Sequence, residues 1–239
     1  MPVPSSVVVL AHSPLTGPAA WGRLPEVLRD RGHELVVVEV TDDDAPPYAG
    51  RYVARAALQV AAGVPSGPVV LVGHSGAGYL LPQIGAARRA ARAPVAAYVF
   101  LDAGIPYGRG ATRSTLLRGE DQSFAEDLDA LLAAGGAFPT WDDDDLRDLV
   151  PDDEHRAALV RSLRPRGQDF FTEPLPFPAD WPDAPCGFVR LSAAYERPAR
   201  VARSRGWPVV EADVAGGHFA MCTDPDGVAD ALEELFGAL

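Results

Sequence analysis

No lysine occurs anywhere in the 239 residues; all 21 basic side chains are arginine. That removes Schiff-base chemistry and any phosphate loop built around a Walker lysine. Cysteine is nearly as scarce. Cys186 and Cys222 are too few for a disulfide framework or a zinc site, so a reducing cytoplasm is the expected compartment. Positive charge is outnumbered, 33 acidic against 21 basic residues, for a net charge of −12. This argues against nucleic acid or an anionic membrane surface as a partner. No apolar run approaches the length of a bilayer span. The amino terminus, MPVPSSVVVLAHS, has no basic n-region and runs straight into a strand-like segment, unlike a signal peptide. There is no internal repeat and no linker long enough to divide the chain.

What is present is a globular composition, 47% hydrophobic and 23% charged. The expected partner is a small-molecule substrate, in a monomer or homodimer, with no cofactor. Heavy use of Ala, Arg, Gly, Pro and Asp suggests a GC-rich bacterial genome. Short β-branched runs alternate with helical stretches, the pattern of βαβ units and a mainly parallel α/β sheet flanked by helices. The runs are Val7–Leu10, Leu35–Val38, Val69–Val72, Ala97–Leu101, Gly187–Leu191 and Val209–Glu211. Helices are expected around 19–31, 49–62, 76–92, 196–205 and 225–237, the last opened by Asp224 as N-cap and Pro225 as first residue.

One region breaks the rhythm. Residues 104–185 hold no strand-like run, only amphipathic segments such as Ser123–Leu132 and Glu154–Leu163 and a stretch rich in proline and aromatics at 170–178. The reading is a core of 1–103 and 186–239 with a helical cap inserted at 104–185 over the carboxyl ends of the strands. The acidic run Asp142–Asp145 reads as a solvated helix start rather than a metal site.

Chemistry is concentrated in GHSGAG, Gly73 to Gly78, directly after the third apolar run. A serine hydroxyl is a poor nucleophile unless an imidazole takes its proton and a third group orients that imidazole. It must also stand on a tight strand-to-helix turn with small neighbours. Ser75 follows a strand, precedes a helix and has Gly73, Gly76 and Gly78 around it, although the final glycine of the Gly-x-Ser-x-Gly pattern falls on Ala77. Of the five histidines, His33 and His155 read as surface residues and His74 as packing or support. His12 ends the first strand; His218 lies between the last strand and the last helix, where a loop reaches back over the sheet.

Three stretches together resemble the α/β-hydrolase fold, in its methylesterase, hydroxynitrile-lyase and thioesterase branches, over essentially the whole chain. His12–Trp21 resembles the oxyanion loop, Gly73–Gly78 the nucleophile elbow, and His218–Pro225 the histidine loop with its following helix start. The first one or two antiparallel strands of larger members are not seen. The resemblance implies Ser75 as nucleophile and His218 as base. Two carboxylates qualify as the acid: Glu196, in the position usual for the family, and Asp102, in the position used by thioesterase domains and at the more rigid strand end. For the oxyanion, one donor would be the Gly76 amide. The other normally comes from the residue two after the loop histidine, here Pro14, which has no N–H. The Leu15 amide or the Ser13 hydroxyl, beside His12, would have to substitute. Tyr107 and residues 170–177 are expected to shape an apolar acyl pocket. The leading expectation is a serine hydrolase acting on a small or medium ester, thioester or lactone. The competing ones are a lyase, cyclase or isomerase using His218 as general base, and a ligand receptor on a retained hydrolase fold.

Overall fold

The computed structural model describes residues 6–41 and 43–239. Most of the MPVPSS segment read above as no signal peptide lies outside the described residues. The six apolar runs form six strands: β1 (Val7–Ala11), β2 (Leu35–Val38), β3 (Val69–Ser75), β4 (Val95–Ala103), β5 (Cys186–Arg190) and β6 (Val209–Glu211). They make one sheet in the order β2-β1-β3-β4-β5-β6, and every pairing is parallel. The order reverses between β1 and β3, so the loops after these two strands part in opposite directions and leave a crevice at their carboxyl ends.

Alternation along each strand divides the core. Val9, Leu71, Tyr98, Phe100 and Phe188 face one way, packing on α2 (Tyr48–Gly63), α3 (Leu81–Ala90) and α9 (Glu196–Ser204). Val8, Leu10, Val70, Val72, Val99 and Val189 face the other way, against α1 (Leu24–Asp30), the short α10 (Ala220–Thr223) and α11 (Pro225–Ala238). Both faces are covered, which is why the strands read as unbroken apolar runs. Each fully buried Val, Leu or Phe contributes about 1.5–3 kcal/mol of transfer free energy. Asp224 caps α11 through the Gly227 amide, with Pro225 as the first helical residue.

β4 ends at Ala103 and β5 begins at Cys186. Between them stand α4 (Arg113–Glu120), α5 (Gln122–Ala133), α6 (Asp143–Leu146), α7 (Asp153–Ser162) and α8 (Gln168–Thr172). The acidic run is a helix start: Asp142 accepts from the amides of Asp144 and Asp145, and Asp145 returns the favour to Asp142 N. This segment packs on the rest through Leu116, Leu175 and Trp181 in the sheet core, through Leu146 and Leu159 beside Ala20 and Phe219, and through polar contacts. Arg166 pairs with buried Asp43 at 2.7 Å, Tyr48 donates to Asp169 at 2.6 Å, and Glu173 accepts from the Ala49 amide at 2.9 Å. No helix among the described residues is long and apolar enough to cross a membrane.

Candidate active site

Ser75 ends β3 with φ 56 and ψ −127, a conformation that non-glycine residues rarely adopt. The chain turns at once into a 3-10 segment, Gly76–Leu80, and then α3 (Leu81–Ala90). The off-frame glycine has a steric explanation. A Cβ on Gly78 would lie 2.2 Å from the Gly104 carbonyl oxygen, whereas the Ala77 methyl is buried among core side chains. Close approach of the two backbones is needed one residue later than the usual pattern places it.

One strand over, Asp102 at the end of β4 also has positive φ, 44. Its fully buried carboxylate receives four donors. Oδ1 accepts from the amides of Leu191 and Ser192 at 2.9 and 3.0 Å; Oδ2 accepts from Ser192 Oγ and His218 Nδ1, both at 2.7 Å. Four donors match the acceptor capacity of an ionised carboxylate. With Nδ1 donating to Asp102, Nε2 of His218 is left as the acceptor nitrogen. Ser75 and His218 line the same cavity. Glu196 is not the carboxylate that meets His218. It is half-exposed, stands first in α9 and is ion-paired to Arg190, Arg203 and Arg200 at 3.3, 3.6 and 3.9 Å.

His74 supports from behind. It is fully buried, its ring lies 4.4 Å from that of His218, and Nε2 donates to the His218 carbonyl at 3.0 Å. Burial holds its pKa well below the ordinary histidine range, so the ring is neutral.

The loop after β1 corrects one expectation. His12 does not line the cavity. It is buried beneath the loop, with Nε2 accepting the Val40 amide at 3.1 Å and Nδ1 donating to the Ser13 carbonyl at 2.8 Å. Burial lowers its pKa to about 4. The Leu15 amide is engaged as well, donating to Ser13 Oγ at 3.3 Å. Ser13 and Pro14 both approach the elbow: a Cβ placed on Gly76 would lie 3.4 Å from Ser13 Oγ and 3.7 Å from Pro14 Cδ.

Tyr195 was missed by sequence reasoning. Its ring stacks on His218, with centroids 5.0 Å apart and planes within 7°, and its hydroxyl is 3.3 Å from Ser75 Oγ. No motif marks it; only the fold brings the turn after β5 against the histidine loop. The cavity holds about 350 Å³ and is walled by Leu15, Phe124, Phe138, Trp141, Phe170 and Phe171 among others. The expected wall is thus half right. Phe170 and Phe171 line it, whereas Phe177 packs in the sheet core and Tyr107 is 46% exposed.

A model of the alpha/beta hydrolase family matches residues 8–231. The chain belongs to the alpha/beta hydrolase family. Similar solved structures extend over nearly its full length at low identity. An extracellular α/β-hydrolase from a Paenibacillus species, described as sharing structural and functional homology with tobacco salicylic acid binding protein 2, has TM-score 0.74 at 16% identity. It covers 96% of this chain and 98% of its own. A variant of tomato methylketone synthase I, solved with β-ketoheptanoate, has TM-score 0.72 at 15% identity, over 96% and 97% of the two chains. A pyrethroid hydrolase from Sphingobium faniae has TM-score 0.66 at 19% identity, covering 98% of each. No curated relative matches the chain by sequence.

Proposed function

We propose that the protein is a serine hydrolase that cleaves a small or medium ester, thioester or lactone through an acyl-enzyme. The observation that carries this reading is the 2.7 Å bond from His218 Nδ1 to buried Asp102, beside a serine on a strained strand-to-helix turn in one cavity. Asp102 fixes the tautomer and stabilises the imidazolium as it forms. Nε2 of His218 takes the proton from Ser75 Oγ as the oxygen attacks the carbonyl carbon. It returns that proton to the leaving oxygen or sulfur when the tetrahedral intermediate collapses, and water repeats the cycle to free the acid.

The oxyanion is met by the Gly76 amide and the Ser13 hydroxyl. Because Ser13 Oγ accepts from the Leu15 amide, its own hydrogen is left to donate, which replaces the N–H that Pro14 lacks. Each such donor is worth about 3 kcal/mol in the transition state. The segment 104–185 serves as a cap whose aromatics exclude water from the acyl group. The two cysteines are buried and free, in keeping with a cytoplasmic enzyme.

A second reading is favoured by one contact. Ser75 Oγ is within hydrogen-bond distance of Tyr195, and two hydroxyls facing a substrate carbonyl, with His218 as general base, suit a lyase or isomerase without an acyl-enzyme. The structural likeness to methylketone synthase I accords with this alternative. A fluorophosphonate probe separates the two. The hydrolase reading expects labelling at Ser75, lost in Ser75→Ala, together with turnover of p-nitrophenyl butyrate. A folded protein that refuses both overturns it.

A further inference from the structure

Glu120, the last residue of α4, lines the same cavity and plays no part in the chemistry above. Its carboxyl is fastened to the sheet side: Oε2 accepts from the Tyr79 hydroxyl at 2.9 Å, and the Ile105 amide also donates to it. Of the other ionised groups of the wall, Arg113 lies over the Phe170 ring at 3.8 Å, donates to the Phe170 carbonyl at 2.8 Å and pairs with Glu173 at 3.4 Å, while its Nε and Nη2 have no hydrogen-bond partner among the described residues. Asp121 caps α5 through the Phe124 amide, and Asp145 accepts from the Asp142 amide. Those two carboxylates, like Glu120, have only neutral donors but are exposed, whereas Glu120 is packed against the sheet side and keeps only partial exposure at the wall of the cavity.

The groups acting on Glu120 come from each packed element. They are Tyr79 from the turn after β3, the Ile105 amide after β4 and Arg197 from α9, whose effect is the weakest. Tyr195 lies close enough to feel its charge. Burial dominates and pushes the Glu120 carboxyl up to about 7. A carboxyl that lacks a cation in a mostly apolar cavity is costly to ionise, and a ligand that brings the cation removes that cost.

We propose that the cavity takes substrates whose apolar body carries a basic amine, and that Glu120 receives the ammonium group. The aromatic walls take the body and Glu120 supplies the missing counter-charge, with Tyr79 and Ile105 holding its orientation. The proposal rests on this cavity being the substrate site, but not on the reaction carried out there.

Calorimetric titration with 4-phenylbutylamine and 4-phenylbutan-1-ol tests it without requiring turnover. Near pH 8 the amine should bind roughly tenfold more tightly than the alcohol. The margin should shrink near pH 6, where Glu120 is protonated while the amine, with a pKa of about 10, stays charged. In Glu120→Gln, checked for folding by circular dichroism, the margin should vanish. The pH arm uses the unaltered protein and stands if the variant does not fold. Equal binding, tighter binding of the alcohol, a margin that survives Glu120→Gln or is flat with pH, or no binding of either compound would overturn the proposal. Loss of ester turnover with the amine margin intact would strike the hydrolase reading alone.

Discussion

The two sides of the cavity are built from different materials. On the sheet side, Ser75 and Asp102 stand at the ends of adjacent parallel strands, β3 and β4, above two continuous apolar clusters. Their positive φ angles are held by that packing. Opposite them, α4 to α8 pack through smaller apolar clusters shared with the core, Leu146 and Leu159 with Ala20 and Phe219, and Leu128 and Phe170 with Tyr48, and through separate polar contacts, chiefly Arg166–Asp43, Tyr48–Asp169 and Glu173 with the Ala49 amide. A close-packed core spreads its stability over many contacts; a polar mooring concentrates it in a few. At the cavity, the strained backbone therefore sits on the side with the larger core, and local opening is expected first on the helical side.

The difference can be broken at its sharpest point. Asp43→Ala leaves Arg166 buried without its partner, which should cost about 3–5 kcal/mol. Urea denaturation would measure the loss, and hydrogen exchange should show α8 opening before the sheet. A loss under about 1 kcal/mol would mean that the mooring is ornamental.

The sheet side has a different weakness, to acid. His12 titrates at about 4 in the fold against an ordinary value of 6.5, because burial opposes its charged form. Between those values the unfolded chain binds more protons, so its contribution is complete above pH 6.5 and is lost as pH falls towards 4. For His12 this amounts to about 3 kcal/mol. His74 acts in the same direction. Denaturation midpoints compared between about pH 7 and pH 4.5 should fall accordingly, and a flat profile would contradict the burial argument.

Much of the fold is legible in the chain because strands covered on both faces announce themselves: all six β-branched runs became strands. The elbow is legible too, since a strand, a small-residue turn and a helix follow one another locally. What depends on tertiary neighbours is not. Asp102 and Glu196 are both loop-adjacent carboxylates in the sequence; only the contact between the end of β4, the Leu191–Ser192 backbone and the histidine loop separates them. His12 follows a strand exactly as a cavity residue would, yet its ring serves Val40 and its own loop. Tyr195 and Glu120 carry no local mark, because each reaches the cavity from a different layer of the molecule.

The central claim is that the chemistry belongs to the sheet side and that Asp102, not Glu196, orients His218. Steady-state hydrolysis of p-nitrophenyl butyrate by Asp102→Asn and Glu196→Gln tests it most directly. Asp102→Asn should lower kcat by roughly 10⁴-fold, by forcing the wrong imidazole tautomer. Glu196→Gln, which removes only half-exposed ion pairs, should stay within about twofold of the parent. Comparable losses in both variants, or a larger loss in Glu196→Gln, would contradict the account.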